Sequence, residues 1–213
     1  MGPDKTLIAH RWTDSNVSYW LGAGGEWTAI VGAISKAEVR SVSPASIEFV
    51  CRGVNDTAFI AFPYLLIYNV ATGKVAERHL LQDPQQAVEF GFPGIDKGHI
   101  LRSIRLEGGS IELQFGTAPE MLERYAGPLR YVPHTISQWD NERGGLALRF
   151  AGTQLDPAVL GQVDSLAGAY LQGATVEHSG DDTVLLLRSS EPQYYYITHT
   201  QGDRCIMTVH FAQ

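Results

Sequence analysis

The chain has 213 residues with 16 Lys and Arg against 23 Asp and Glu, and its formal net charge of −7 argues against a nucleic-acid partner, which needs a basic surface. The content of 44% hydrophobic and 18% charged residues is typical of globular proteins and excludes a disordered chain. Because two cysteines make no disulfide framework and no apolar run approaches the roughly 18 residues of a membrane span, we expect a soluble, cytoplasmic protein without a membrane partner.

The N-terminal region combines a predicted strand with a cluster of tryptophans. A strand over Lys5–Trp12 would place Leu7, Ala9 and Arg11 on one face and the side chains between them on the other. Trp20 and Trp27 lie on either side of the glycine-rich run Gly22–Gly25. The dinucleotide-binding pattern G-x-G-x-x-G needs a further glycine at the position of Trp27 and a helix after it. The run has neither, so it indicates a turn between strands. Tryptophans beside such a turn either pack in the core or form an aromatic binding platform, and packing is the commoner role.

The middle of the chain alternates short strands with turn residues, which is the pattern of an antiparallel sheet. The predicted strands are Ser46–Arg52, Thr57–Ile60, Tyr64–Asn69, Ile100–Leu106 and Ser110–Phe115. A capping box over Thr117–Glu120 then opens a short helix, which ends at Gly127 and Pro128.

The segment Leu129–Asp140 shows few signals of regular structure and is rich in aromatic and polar side chains. Long irregular segments on a rigid scaffold often carry function. We therefore predict that this segment is a lid, with His134, Trp139 and Asp140 as ligand-binding residues. A strand over Gly144–Phe150 follows it.

A helix start stands at Asp156 and Pro157, because Asp caps free backbone N–H groups and Pro lacks a donor that would be unsatisfied there. Apolar residues recur at helical spacing as far as Leu171, and Gly173 occupies the position of a left-handed C-terminal cap. We expect one amphipathic helix whose apolar face packs on the strands that follow.

Strand patterns separated by turn residues predict a four-stranded antiparallel meander in the last part of the chain. Its strands are Thr175–His178, Thr183–Ser189, Gln193–Thr200 and Arg204–Phe211. If the last loop has an even length, one mixed sheet face carries Tyr195, His199, Arg204 and His210. Histidine suits proton transfer near neutral pH and arginine holds carboxylate oxygens, so we predict His199 and His210 as catalytic residues and Tyr195 and Arg204 as ligand-binding residues.

Other catalytic and metal-binding patterns are absent from the sequence. The seven histidines are dispersed, without the H-x-H, H-E-x-x-H or C-x-x-C spacing of metal sites, so we predict no metal and no other cofactor. The G-x-S-x-G pattern of hydrolases is also missing. Cys51 lies in an apolar strand, where a thiol is usually inert.

Together these patterns predict a mostly β fold, either an antiparallel sandwich or a partly closed barrel with two or three short helices, and α+β is the alternative. We expect one compact domain over residues 1–213, with a possible subdivision near residues 128–140.

Three functions are compatible with the sequence. The first is an intracellular binding protein that holds a small, partly apolar ligand between a sheet face and the aromatic and histidine lid. The second is a cofactor-free isomerase, cyclase or hydrolase that uses His199 or His210 as acid or base. The third is an acidic protein-interaction module, such as an inhibitor or adaptor. The partner is accordingly a small molecule or a protein, and the sequence leaves this choice open.

Overall fold

The computed structural model describes residues 5–11, 16–35, 37–53, 59–93, 98–125, 127–168, 171–200 and 205–212. These residues form seventeen strands, two α-helices and one short 3-10 helix, which confirms the mostly β prediction. The chain separates into two compact units, Met1–Leu80 and Leu81–Gln213. The expected single domain stays a prediction, and the possible subdivision at residues 128–140 falls inside the second unit.

The first unit contains two antiparallel sheets. Its strands are β1 (Lys5–Arg11), β2 (Asn16–Ala23), β3 (Glu26–Ser35), β4 (Ala37–Val42), β5 (Ser46–Gly53), β6 (Ile60–Asn69) and β7 (Val75–His79). The first sheet has the order β1-β2-β3 and the second the order β4-β5-β6-β7. Within each sheet, strands that follow one another in the sequence are paired, as the turn residues between them predict.

Alternate side chains of these two sheets share one core. Tyr19 and Leu21 from β2 and Ile47 and Phe49 from β5 are buried in a single cluster. The rings of Tyr19 and Phe49 lie 4.7 Å apart, and the Tyr19 hydroxyl donates a hydrogen bond of 2.9 Å to the Ala37 carbonyl. Since one face of each sheet supplies this core, the first unit is a two-layer sandwich.

The second unit holds the remaining elements. They are β8 (Val88–Phe90), β9 (His99–Glu107), β10 (Ser110–Thr117), α1 (Pro119–Tyr125), β11 (Thr135–Asp140), β12 (Gly145–Phe150), β13 (Thr153–Leu155), α2 (Ala158–Val163), a 3-10 turn (Asp164–Leu166), β14 (Gly173–Ser179), β15 (Asp182–Arg188), β16 (Tyr195–Thr200) and β17 (Cys205–Phe211). One sheet has the order β13-β9-β10-β17-β16 and the other the order β14-β15-β12-β11-β8. The pairing of β13 with β9 is parallel, and the other pairings are antiparallel.

These two five-stranded sheets also face each other. Phe115 of β10 meets Phe150 of β12 edge to face, with ring centroids 5.2 Å apart. The hydroxyl oxygens of Tyr195 on β16 and Ser137 on β11 are 2.7 Å apart across the same core. Both units are thus sandwiches, which confirms that form of the predicted fold.

The predicted four-stranded meander is wrong, because the last four strands belong to two sheets. The hairpin of β14 and β15 extends one sheet, while β16 and β17 extend the other. The far side of β15 pairs with β12 instead of β16. This arrangement explains the sequence of β15, in which Thr183–Leu187 are buried without alternation because the strand is covered on both faces.

The predicted amphipathic helix is shorter than its periodicity indicates. Its start is confirmed, since the Asp156 carboxylate accepts a hydrogen bond of 3.0 Å from the Ala158 N–H. Helical structure ends at Leu166, however, and Gly173 begins β14 in place of a helix cap. The helix α2 lies against β9, where Gln162 Oε1 accepts a hydrogen bond from the Ile104 N–H, as well as against β14. In the part of the chain that the structure describes, no helix has the length and apolar character of a membrane span.

Candidate functional site

The register of the last hairpin separates the residues of the predicted site. Tyr195 pairs with Phe211, Tyr196 with His210, and His199 with Met207. Directly paired residues share a face, so Tyr195 and His199 lie on the face opposite that of His210. The assumption of an even-length loop is therefore wrong, and Arg204 lies outside the described residues.

The face that carries Tyr195 and His199 is the core face. Tyr195 is fully buried, and its burial raises the pKa of the phenol to about 12 despite the hydrogen bond with Ser137. Burial also lowers the pKa of His199. Both side chains thus lie between the sheets of the sandwich, away from the surface that was predicted to hold a ligand.

His210 lies on the outer face, where its neighbours hold the ring. Its Nδ1 atom is 2.9 Å from the Ser110 hydroxyl, its Nε2 atom is 3.0 Å from the Thr198 hydroxyl, and its ring stacks on Tyr196 at 4.5 Å. Both ring nitrogens are engaged in hydrogen bonds within the sheet. A role as acid or base would require one of these bonds to break.

The second half of the predicted lid is not irregular, because Thr135–Asp140 form the strand β11, which pairs with β12 and β8. Ligand binding by this segment stays a prediction. Trp139 is 9% exposed and belongs to the core. Asp140 ends the strand, and its carboxylate binds the Arg143 guanidinium at 2.7 Å, a hydrogen bond that lowers the pKa of the Asp140 carboxyl. His134 binds Glu89 at 2.8 Å on the neighbouring strand. These three side chains therefore stabilise the sheet and its turn.

A different feature of the same sheet forms a concave site. The pairing of β9 with β10 shifts from Gln114 opposite Ser103 to Phe115 opposite Leu101, so Arg102 is the extra residue of a β-bulge. Bulges turn a side chain away from the regular alternation of the strand and occur frequently beside functional sites. Arg102 is exposed, and its side chain extends across Gly116, because a Cβ atom at that glycine would collide with Arg102 Nε.

This arginine opens onto a cavity of about 210 Å³. The lining residues come from β9, β10, α1 and the segment after α1: Arg102, Gln114, Phe115, Gly116, Thr117, Leu122, Pro128 and Leu129. We call this space the Arg102 cavity. One side is the outer end of a sheet, and the other is an apolar cover formed by Leu122, Pro128 and Leu129.

Two hydrogen bonds hold the cover in place. The Leu129 N–H donates to the Thr117 hydroxyl at 2.7 Å, and the Cys205 thiol donates to the Leu129 carbonyl at 3.1 Å. Burial raises the pKa of Cys205 to about 11, so the thiol keeps the proton that it donates at neutral pH. The cover is thus fixed to β10 and β17 at a single residue, which predicts a largely pre-formed cavity.

Arg102 and Gln114 supply hydrogen-bond donors to the Arg102 cavity. Within the described residues, Arg102 forms no ion pair, and no carboxylate lines the cavity. Gln114 Oε1 accepts a bond from Ser103 at 3.4 Å, which leaves the carboxamide N–H groups as donors. A guanidinium beside an amide, with apolar walls around them, suits an anionic group joined to an apolar body.

Sequence reasoning missed this cavity, although one signal for it exists. An isolated glycine within a strand indicates a bulge or the close approach of another group, and Gly116 interrupts the regular strand β10. The residue that Gly116 accommodates, Arg102, lies on another strand, and nothing in its own neighbourhood marks it.

No group of three or more His, Cys, Asp or Glu residues in the described ranges is placed to hold a metal ion, and the absence of a metal or cofactor stays a prediction. Comparison with known proteins finds no matching family model, no matching curated protein and no matching solved structure.

Proposed function

We propose that the chain is a binding protein for a small, partly apolar ligand that carries a carboxylate group, held in the Arg102 cavity. The observation that carries this proposal is the position of Arg102, which a β-bulge directs over a glycine and into a cavity without any ion-pair partner among the described residues. The expectation of a cytoplasmic protein with a small-molecule partner is part of the same proposal.

The ligand's charged end is matched to the guanidinium. Arginine binds a carboxylate through two parallel N–H···O bonds, and hydrogen bonds to charged groups contribute about 1.5–3 kcal/mol each. The Gln114 amide supplies a further donor on the neighbouring strand. The apolar body of the ligand then contacts Leu122, Pro128 and Leu129.

The size of the cavity limits the ligand. Sites for drug-sized molecules usually span roughly 300–1,000 Å³. The Arg102 cavity has a volume of about 210 Å³ and therefore favours a smaller molecule, such as an aromatic or short aliphatic monocarboxylate.

Binding is favoured over catalysis by the chemistry of the lining. Its described residues include no His, Asp, Glu, Lys or Cys, which are the usual proton-transfer groups and nucleophiles, and the Thr117 hydroxyl is bonded to the cover. His199 and His210 do not line the cavity and lie on opposite sheet faces. Acid–base catalysis by either histidine stays an alternative that no feature of the cavity favours.

The test is an NMR titration of the protein with benzoate and hexanoate. We expect both to shift the backbone amide signals of Gly116 and Leu129, while benzamide and hexanamide, which have the same shape without the charge, shift them much less. Arg102→Gln should weaken benzoate binding by about tenfold to a hundredfold, because one or two charge-assisted bonds are lost.

The matched control is Arg105→Gln. Arg105 lies on the same strand, but its guanidinium already binds Glu112 at 2.6 Å, so its removal should leave benzoate affinity unchanged. Gly116→Ala tests the geometry separately, since a methyl group there displaces the Arg102 side chain without removing its charge. Equal benzoate affinity in the wild type and in Arg102→Gln would refute the proposal, as would the absence of any shift at the cavity amides.

A further inference from the structure

A second candidate site lies in the first unit, on the face of the β1-β2-β3 sheet that points away from its core. Alternation along β2 directs Tyr19 and Leu21 into the core, which leaves Trp20 on the other face. Ile8 pairs directly with Trp20 and shares that face, as does Trp27 on β3. Ile8 is 42% exposed and Trp27 is 50% exposed, so this face carries large apolar side chains in contact with water.

The Trp27 ring lies flat on the sheet. Trp27 pairs with Gly22, and a Cβ atom at Gly22 would meet three neighbouring carbons of the six-membered ring at 2.8–3.0 Å. Nearly equal distances to three ring atoms mean that the face of the ring covers the glycine. Because half of the residue is exposed, the opposite ring face is directed to solvent.

Trp20 completes the surface. Its indole N–H donates a hydrogen bond of 3.1 Å to the Ser18 hydroxyl, which satisfies the polar atom of the ring and fixes its orientation. Ile8, His10, Trp20 and Trp27 together line an open depression of about 340 Å³. We call this depression the Trp27 platform.

We propose that the Trp27 platform binds a quaternary ammonium group. Cations are attracted to the faces of aromatic rings, most strongly to Trp, and both Trp20 and Trp27 line the platform. A quaternary ammonium has no N–H or O–H group, so it loses no hydrogen bond to water when it contacts the nearly apolar walls. A sugar or a primary ammonium would lose several such bonds, and the imidazole and indole groups of the lining residues could replace few of them.

The test is an NMR titration with choline that follows the indole N–H signals of the tryptophans. We expect choline to shift the Trp20 and Trp27 signals with millimolar affinity. Dimethylbutanol, in which a neutral carbon replaces the charged nitrogen, should bind roughly two- to fivefold more weakly, which is the ratio that a cation–π contact at an exposed ring provides.

Three variants complete the experiment. Trp27→Leu should reduce choline affinity by at least about fivefold, and Trp27→Phe should retain part of it because a smaller ring face remains. Val75→Ala is the matched control, since Val75 is 48% exposed on the other sheet of the same unit and should not affect choline binding. Equal affinity for choline and dimethylbutanol, shifts with glucose but not with choline, or unchanged choline affinity in Trp27→Leu would each overturn the proposal.

Discussion

The hydrogen bond between Tyr195 and Ser137 predicts that Tyr195 stabilises the core and does not bind a ligand. A double-mutant cycle measures the coupling energy between the two side chains. The two oxygens are 2.7 Å apart, and both side chains are fully buried. Either hydroxyl can donate this bond, and the Ser137 hydroxyl also lies 3.3 Å from the Val88 carbonyl, within hydrogen-bond distance.

Tyr195→Phe removes this hydrogen bond and leaves the buried Ser137 hydroxyl without one of its partners. We expect a loss of about 1–2 kcal/mol in the free energy of unfolding, which lowers the melting temperature by about 2–4 °C per kcal/mol in a chain of this size. Ser137→Ala should cost a similar amount. The double variant should be more stable than the sum of the single losses predicts, with a coupling energy of about 1 kcal/mol.

The assay is urea denaturation of the four proteins, with Tyr196→Phe as the control. Tyr196 is the next residue but lies on the outer face against the His210 ring, so loss of its hydroxyl should change stability by less than about 0.5 kcal/mol. A coupling energy of zero between Tyr195 and Ser137 would refute the hairpin register, as would a larger loss of unfolding free energy in Tyr196→Phe than in Tyr195→Phe. Tyr195 would then lie on the mixed face, as the sequence predicts.

The remaining predictions concern pH and backbone geometry. Because burial raises the pKa of Tyr195 from the ordinary 10 to about 12, its contribution to stability is complete below pH 10 and is lost as the pH rises towards 12. Urea titrations of Tyr195→Phe should therefore show a smaller decrease in unfolding free energy at alkaline pH than the wild type. Burial lowers the pKa of His99, so the unfolded chain takes up a proton first as the pH falls below about 6.5, and stability decreases. The unfolding free energy of His99→Gln should depend less on pH in this range, and a dependence equal to that of the wild type would contradict the prediction. Gly91 has a φ of 97°, and a Cβ there would collide with the Pro133 carbonyl, so Gly91→Ala should cost more than about 2 kcal/mol in thermal unfolding, whereas Gly108→Ala, at a φ of 57° in open space, should cost only about 1 kcal/mol.

The sequence predicts individual strands well because their side chains alternate. The predicted strand Ser110–Phe115 is observed as Ser110–Thr117, and the final strand is observed as Cys205–Phe211. Local alternation, however, contains no information on which strand lies beside which. The pairing of β15 with β12 and of β17 with β10 depends on contacts that are distant in sequence, so the meander prediction fails there.

The candidate site depends on details that a hydrophobic pattern does not record. The face of a hairpin residue depends on whether its loop is even or odd, and one residue of error placed His199 on the same face as His210 instead of on the core face. The strand β11 was missed because two of its inward positions, Thr135 and Ser137, are small polar residues whose hydroxyls bond to backbone carbonyls. Arg102 was missed because a bulge follows from the pairing of two strands and not from either one.

The pairing of β10 with β17 sets the order in which the second unit is completed during synthesis. Ser110 and His210 are partners 100 residues apart, so β17 is synthesised long after β10. At a translation rate of about 5–20 residues per second, β10 waits about 5–20 s for this neighbour, with one edge covered by β9 and the other edge open. An open edge of this kind recruits other strands. Aggregation of nascent chains is therefore the expected cost of a central strand whose partner is synthesised 100 residues later.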